Sequence, residues 1–184
     1  MAVTIAHRCI HARDIHETLA FYTGLLGLTT RENSQFPDKG IMFSRDNIDS
    51  PDPVIADYIN ALVTEKLPTL YAMPAVKQFD IAGIFMAVPG TESTGPWIDT
   101  FLWNYPPYAN HEAYEEVNHV GFARLEFLVD DFEGTRERLR EAGARFISEE
   151  IVIPAGVLPD GPVGPTRAMS LRDPNNIVIV LIEA

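Results

Sequence analysis

Within the predicted strand at residues 4–11, the side chains of His7, Cys9 and His11 alternate with those of the opposite face, and apolar residues then recur at helical spacing along residues 14–26. The alternation predicts a strand, and the i, i+4, i+7, i+11 spacing predicts an amphipathic helix whose buried stripe is Ile15, Leu19, Tyr22 and Leu26. Asp14, followed by Glu17 three residues later, has the pattern of a capping box. The chain therefore begins with a predicted strand that leads directly into a capped helix.

The same pattern returns in the second half of the chain. His7 and Asp14 recur as Arg124 and Asp131, in each case 117 residues later. Residues 131–142 again carry an apolar stripe at helical spacing, formed by Phe132, Thr135, Leu139 and Ala142. This internal repeat predicts two similar modules.

Further β-rich apolar segments complete each module. In the first module they are residues 28–32, 79–88 and 97–105, and in the second they are residues 145–152, 166–171 and 177–182. Each module therefore has the predicted order βαβββ, which makes the chain an α+β protein. We assign residues 1–110 to the first module, 111–121 to a linker and 122–184 to the second module.

Residues 52–66 form a predicted helix that is inserted between the second and third strands of the first module. Asp52-Pro53 suits the start of a helix, and Ile55, Ile59 and Leu62 supply an apolar stripe. We expect these apolar side chains to pack against another protein surface. Two interpretations stay open: the helix is a lid over a ligand site, or it covers the outside of the sheet.

Composition and charge restrict the kinds of partner. The hydrophobic fraction of 46% and the charged fraction of 22% are ordinary for a globular protein. A net charge of −12 without a Lys/Arg-rich run argues against nucleic acid and anionic membrane partners. One cysteine excludes an internal disulfide framework, and a strand so close to the N-terminus argues against a secretory signal. We expect a cytoplasmic protein, and a homodimer stays open.

Three motifs carry a resemblance to a known family. They are Phe21-Tyr22 with Leu26-Gly27, Val129-Asp130-Asp131 with Leu139 and Ala142-Gly143, and Asp173-Pro174-Asn175-Asn176. In these residues and their order the chain resembles the vicinal oxygen chelate superfamily, which includes glyoxalase I, methylmalonyl-CoA epimerase, extradiol dioxygenases and bleomycin-resistance proteins. The resemblance implies a glyoxalase-like fold, in which the two modules form a cup-shaped, partly closed mixed sheet with a small-molecule ligand inside.

The resemblance also implies where a metal would bind. Metal-dependent members take one ligand from the first strand and one from the last strand of each module. In the first module these positions are His7 and Asp99, or Phe101 under an alternative alignment. In the second module they are Arg124, which has no lone pair to offer, and Val180, which has no donor. We therefore expect at most a weakly bound divalent metal, held by His7 and Asp99.

Strand parity predicts which side chains line the cup. We expect chemistry from four of them: His7, Asp99, Arg124 and Glu126. We expect ligand contact from the others: Cys9, His11, Phe101, Trp103, Leu128, Val178 and Val180. Arg124 can grip an oxyanion, while His7 or a carboxylate with a raised pKa can move a proton beside it. Alternatively, Arg124 and Glu126 are simply a structural ion pair.

Two functions from different classes follow from this lining. The first is an isomerase, epimerase or lyase that carries out proton-transfer chemistry on a hydrophobic carbonyl-containing metabolite. The second is a metal-free protein that binds or sequesters a small molecule, as drug-resistance members do. Charged residues at lining positions favour the enzyme because buried charges are costly without a task. The two missing metal ligands of the second module favour the binding protein.

Overall fold

The computed structural model describes residues 7–30, 80–91, 95–105, 124–155 and 164–184. Its contacts divide the chain into two units, Met1–His111 and Glu112–Ala184. The predicted helical insert at 52–66 and the predicted linker at 111–121 lie outside the described residues.

The first unit contains a four-stranded mixed sheet. Its strands are β1 (His7–His11), β2 (Thr29–Thr30), β3 (Asp80–Ala87) and β4 (Trp97–Tyr105), in the spatial order β1-β4-β3-β2. Strand β1 runs parallel to β4, and the other neighbours are antiparallel. The parallel pair is possible because a helix connects β1 to the rest of the sheet.

The helix of the first unit has two parts. It begins as α1 (Ile15–Leu19) and continues as a π-helical segment, Ala20–Leu25. The Thr23 hydroxyl donates to the carbonyl oxygen of Leu19 at 2.7 Å, and such a bond competes with the regular backbone ladder. The predicted helix at 14–26 is therefore confirmed in position, whereas its wider second half is a departure from the prediction.

Both ends of this helix follow the predicted signals. The Asp14 carboxylate accepts hydrogen bonds from the backbone N–H groups of His16 (2.7 Å) and Glu17 (3.1 Å), which have no partner within the helix. At the other end Gly27 has a φ of 78°, a left-handed conformation that glycine adopts without strain.

Helix α1 packs on one face of the first sheet. Ala12, Ile15 and Ile84 form a buried cluster there, and Leu19 and Leu102 pack against it. Because successive side chains of a strand point to opposite faces, the odd-numbered residues of β4 point away from α1. The helix thus determines which side chains are left for the opposite face.

The second unit repeats this arrangement with one more strand. Its strands are β5 (Arg124–Val129), β6 (Arg145–Phe146), β7 (Ile151–Ile153), β8 (Thr166–Arg172) and β9 (Val178–Glu183), and its helix is α2 (Phe132–Glu141). The sheet order is β5-β9-β8-β6, and β7 also pairs with β8. Phe132, Thr135 and Leu139 of α2 are buried, as the apolar stripe predicted, whereas the prediction for Ala142 is wrong, because this residue is the exposed C-cap of the helix.

The prediction of one continuous strand over 145–152 is wrong. The chain leaves the ladder between β6 and β7, where the Ser148 hydroxyl oxygen accepts a hydrogen bond from the Ser170 N–H at 2.8 Å. The Ser170 carbonyl oxygen accepts the N–H of Ile147 at 2.9 Å. A side chain therefore replaces a backbone partner at this point, and the strand is split in two.

The turn between β8 and β9 is built around Asp173. Its Oδ1 atom accepts the N–H groups of Asn175 (2.9 Å) and Ile177 (2.7 Å), and its Oδ2 atom accepts the Asn175 side-chain amide (3.2 Å). Asn176 has a φ of 68°, a left-handed conformation that asparagine tolerates better than most residues. The motif that the sequence singled out here is thus a closed, hydrogen-bonded turn.

The predicted repeat is present in the backbone. Strands β1 and β5 begin 117 residues apart, and so do helices α1 and α2. Asp131 caps α2 by accepting the Gly134 N–H at 3.0 Å, as Asp14 caps α1. The α+β architecture of two βαβββ modules is therefore confirmed, and within the described residues neither sheet closes into a barrel. None of the described helices is long and apolar enough to cross a membrane.

Candidate functional site

The face of the first sheet opposite α1 carries most of the residues that the sequence predicted as a site. We call it the Asp99 face, and its described side chains include Cys9, His11, Phe85, Trp97, Asp99, Phe101 and Trp103. Register places them in rows across the strands. Cys9 lies opposite Asp99, which in turn lies opposite Phe85, and His11 lies opposite Phe101.

Asp99 is the buried acid of this face. It is only 2% exposed, and its Oδ2 atom accepts a hydrogen bond from the Cys9 thiol at 3.8 Å. Burial raises the pKa of Asp99 to about 7, and the Cys9 hydrogen bond opposes that rise. At neutral pH the carboxyl group therefore exists in both its protonated and its ionised form.

Burial also shifts the pKa values of Cys9 and His11 beside this acid. Desolvation, then the Asp99 charge and the Asp99 hydrogen bond, raise the pKa of the Cys9 thiol to about 11. Desolvation lowers the pKa of His11. Cys9 is therefore a hydrogen-bond donor at neutral pH rather than a thiolate nucleophile.

Aromatic rings surround the acid on the same face. His11 and Trp103 meet edge to face, with ring centroids 5.7 Å apart, and Phe85 and Trp97 do the same at 6.3 Å. Phe101 is buried at 5% exposure. Neither Phe85 nor Trp97 was among the predicted lining residues, although strand parity applied to β3 and to the start of β4 places both on this face.

The predicted residues of the second unit lie together on the sheet face opposite α2. We call it the Arg124 face, and it carries Arg124, Glu126, Leu128, Val178 and Val180. The Arg124 Nε donates to the Glu126 Oε1 at 2.5 Å, and both side chains are close to half exposed. Leu128 is 56% exposed, whereas Val178 is buried. The ion pair that the sequence left as an alternative role for Arg124 and Glu126 therefore exists.

The ladder registers relate the two faces position by position. Cys9 and Glu126 are each the third residue of the first strand in their sheet, and they pair with Asp99 and Val180 respectively. Asp99 and Val180 are thus equivalent positions in the two modules. Phe101 lies one row further along the strand. The register therefore favours the alignment in which Asp99, and not Phe101, is the counterpart of Val180.

The described donors do not fit a divalent metal. Among the residues that the structure describes, no three His, Cys, Asp or Glu side chains are grouped as they would be around an ion. In the second unit Arg124 and Val180 offer no lone pair to a cation. The His7 side chain lies outside the described part of the chain, so the pair of His7 and Asp99 stays a prediction.

Two βαβββ modules, each with its helix on one side of its sheet and its candidate residues on the other, define a protein of the glyoxalase-like class. The family model for the Glyoxalase/Bleomycin resistance protein/Dioxygenase superfamily matches residues 4–181, and the chain belongs to this superfamily. The predicted resemblance and fold are thereby confirmed. No match was found among curated proteins.

Solved structures show the same fold. A glyoxalase family protein from Bacillus cereus is 17% identical, with a TM-score of 0.66 over 100% of this chain and 95% of its own. A glyoxalase I variant from Zea mays is 16% identical, with a TM-score of 0.52 over 96% of this chain and 43% of its own. A trypanothione-dependent glyoxalase I from Leishmania major is 14% identical, with a TM-score of 0.52 over 99% and 87%. At these identities the likeness concerns the fold alone.

Membership of this superfamily supports a coarse statement of function. The chain is a glyoxalase-like small-molecule enzyme or binding protein. A more specific function has to be argued from the side chains of the Asp99 face and the Arg124 face.

Proposed function

We propose that this protein is an enzyme of the isomerase, epimerase or lyase class that moves a proton on a hydrophobic carbonyl-containing metabolite. One observation carries the proposal: Asp99 is a nearly buried carboxyl group among aromatic rings, with a pKa raised to about 7. A group with a pKa near the working pH is suited to both taking and returning a proton.

In this proposal the ionised Asp99 removes a proton from the carbon next to the substrate carbonyl. The electron pair of the broken C–H bond moves into an enolate, and the protonated Asp99 then returns its proton to that intermediate. The Cys9 thiol, which donates to Oδ2 at 3.8 Å, keeps the carboxyl group oriented between the two steps. The surrounding rings keep water away from the acid and receive the apolar body of the substrate.

We assign the remaining predicted residues to supporting roles. Arg124 would bind an oxyanion, and Glu126, which accepts its Nε at 2.5 Å, would fix the orientation of the guanidinium group. His7, at the start of β1, would be a second proton carrier, or would form a weak divalent metal site together with Asp99. We further propose a cytoplasmic location and a homodimer as the assembly to test first.

The test is exchange of substrate α-protons with solvent deuterium, followed by ¹H NMR on a panel of ketones. We expect the Asp99→Asn variant to lose roughly 10²- to 10⁴-fold in exchange rate, because it can neither take nor return the proton. The matched control is Asp130→Asn, the same change at an exposed acid of the second unit, and it should keep most of the rate. Exchange that persists in Asp99→Asn would refute the proposal.

The second candidate function is a metal-free binding protein. The observation that favours it is the Arg124 face, where the charge of Arg124 is already paired with Glu126. A binding protein predicts that a ligand binds with measurable affinity while none of its α-protons exchanges faster than in buffer. The same NMR experiment therefore separates the two candidates.

A further inference from the structure

Strand β7 lies at the edge of the second sheet and is three residues long. Within the described part of the chain β8 is its one strand partner, through a ladder of three residue pairs. Ile151 and Val152 point to opposite faces of the sheet, and they are 56% and 65% exposed. A short edge strand whose side chains are so little buried should open more easily than the central strands of the same sheet.

The chain is interrupted at both ends of β7. On the N-terminal side the backbone has left the ladder, where the Ser148 hydroxyl oxygen accepts the Ser170 N–H at 2.8 Å. On the C-terminal side Pro154 has no N–H with which to continue the pairing. These two interruptions allow β7 to move as a unit while β6 keeps its place beside β8.

Five charged side chains are joined by ion pairs on the helix side of the same sheet. We call them the Arg167 cluster, and they are Glu133, Arg136, Glu150, Arg167 and Glu183. Arg167 donates from Nε and Nη2 to the Glu183 carboxylate at 2.9 and 2.6 Å, and its guanidinium carbon lies 4.9 Å from the centre of the Phe132 ring. Glu133 is paired with both arginines. The cluster therefore connects α2 with β8 and β9.

Glu150 connects this cluster to β7, which begins at the next residue. Its Oε2 atom accepts the Arg136 Nη1 at 2.9 Å, and its Oε1 atom lies 3.9 Å from the Arg167 Nη1. Three carboxylates share two guanidinium groups in the cluster, and the contact of Glu150 with Arg167 is longer than those of Glu133 and Glu183 with the same arginine. Glu150 is therefore the carboxylate that the cluster holds least tightly.

Strand β7 also contributes to the Arg124 face. Ile151 lies in one row with Ala168, Ile182 and Leu128, and Leu128 belongs to that face. If β7 left β8, the row would lose its outer residue, and the backbone edge of β8 would be exposed. The ion pairs of Glu150 on the helix side thus affect the strand that borders the opposite, candidate-site face.

We propose that β7 is a detachable strap, which leaves β8 as a unit and is held in place by the ion pairs of Glu150 with Arg136 and Arg167. Its opening changes the border of the Arg124 face. Ionic strength sets how often it opens, because salt screens ion pairs that are partly exposed. This inference goes beyond the proposed function and does not depend on it, since it concerns the second unit and not Asp99.

The experiment is hydrogen–deuterium exchange of the full-length protein, followed by mass spectrometry of peptides that cover residues 149–155 and residues 178–183. The second peptide covers β9, a central strand of the same sheet. We expect the β7 amides to exchange faster than the β9 amides in the wild type. Glu150→Gln should accelerate β7 exchange at least about threefold and change β9 exchange much less, because it removes the ion pairs that hold the strap.

The matched control is Glu137→Gln, the same change at a carboxylate of α2 that lies 3.9 Å from Arg140, and it should leave β7 exchange unchanged. High salt should accelerate β7 exchange relative to β9 in the wild type and have little further effect in Glu150→Gln. Equal acceleration of both peptides would show that β7 opens only when the whole unit unfolds. That result, or an unchanged β7 rate in Glu150→Gln, would overturn the inference.

Discussion

The two sheets have the same register between their first and last strands. They differ in the side chains on the face that points away from the helix. On the Asp99 face a buried carboxyl group sits beside a thiol and several rings, and on the Arg124 face a half-exposed ion pair sits beside valines. The equivalence of Asp99 and Val180 makes this difference concrete, because the same backbone position is a buried acid in one sheet and an apolar residue in the other.

The shared features all lie on the helix side. Asp14 and Asp131 cap the two helices, and Ile15 and Phe132, the first residues of those helices, are both buried. The repeat is therefore maintained by capping and packing, which any βαβββ module needs. The opposite faces carry no such requirement, so one of them can hold a buried acid at a position where the other holds a valine.

The largest expected effect concerns the pH dependence of stability. Asp99 has a pKa of about 7 in the folded protein, against an ordinary value of 3.8. The folded state therefore binds the proton more tightly, and stability is lost as pH rises from about 4 through 7. The size of the shift corresponds to about 4 kcal/mol. Urea unfolding at several pH values should show this decline in the wild type and a flatter profile in Asp99→Asn.

Val180→Ala is the matched control for this measurement. It changes the equivalent position of the second unit without adding or removing a titrating group, so its stability should fall with pH as the wild type does. Parallel pH profiles for Asp99→Asn and the wild type would show that Asp99 is not a buried acid, and the contrast between the faces would disappear.

A middle-sized effect is expected at the turns that precede the last strand of each sheet. Asp173→Ala removes a buried acceptor of three hydrogen bonds and should lower the free energy of unfolding by about 2 kcal/mol. In the first unit, the N–H and the hydroxyl of Thr91 donate to the Val88 carbonyl oxygen at 3.0 and 2.8 Å, and of these two bonds a change to alanine removes the hydroxyl bond alone. Thr91→Ala should therefore cost less than about 1 kcal/mol. Equal losses in urea unfolding would contradict this ranking.

Local signals explain how much of the fold could be predicted from the sequence. The caps Asp14 and Asp131 act within three residues of themselves, and strand parity needs only the neighbouring residues, so both were readable. Parity also placed Cys9, His11 and Asp99 on one face. The split between β6 and β7 was not readable, because it depends on a bond between Ser148 and Ser170, which are distant in sequence.

The candidate site was predictable in position but only partly in character. Asp99 was predicted from the sequence, but its raised pKa results from burial, which only the folded chain creates. Arg124 and Glu126 were also predicted as site residues, but whether their side chains contact a ligand or each other depends on side-chain conformation. The choice between the two roles for Arg124 therefore needed the 2.5 Å contact with Glu126.

The smallest expected effect concerns this ion pair. Because both side chains are close to half exposed, a double-mutant cycle of Arg124→Ala and Glu126→Ala should give a coupling free energy below about 1 kcal/mol, and the coupling should weaken further in salt. If the ion pair only stabilises the fold, removing it should then change the free energy of unfolding very little and leave deuterium exchange unchanged. If Arg124 binds an oxyanion of the substrate, Arg124→Ala should instead slow deuterium exchange while barely changing the free energy of unfolding. Unchanged exchange in Arg124→Ala would leave the Arg124 face with a structural role alone, and the chemistry would belong to the Asp99 face.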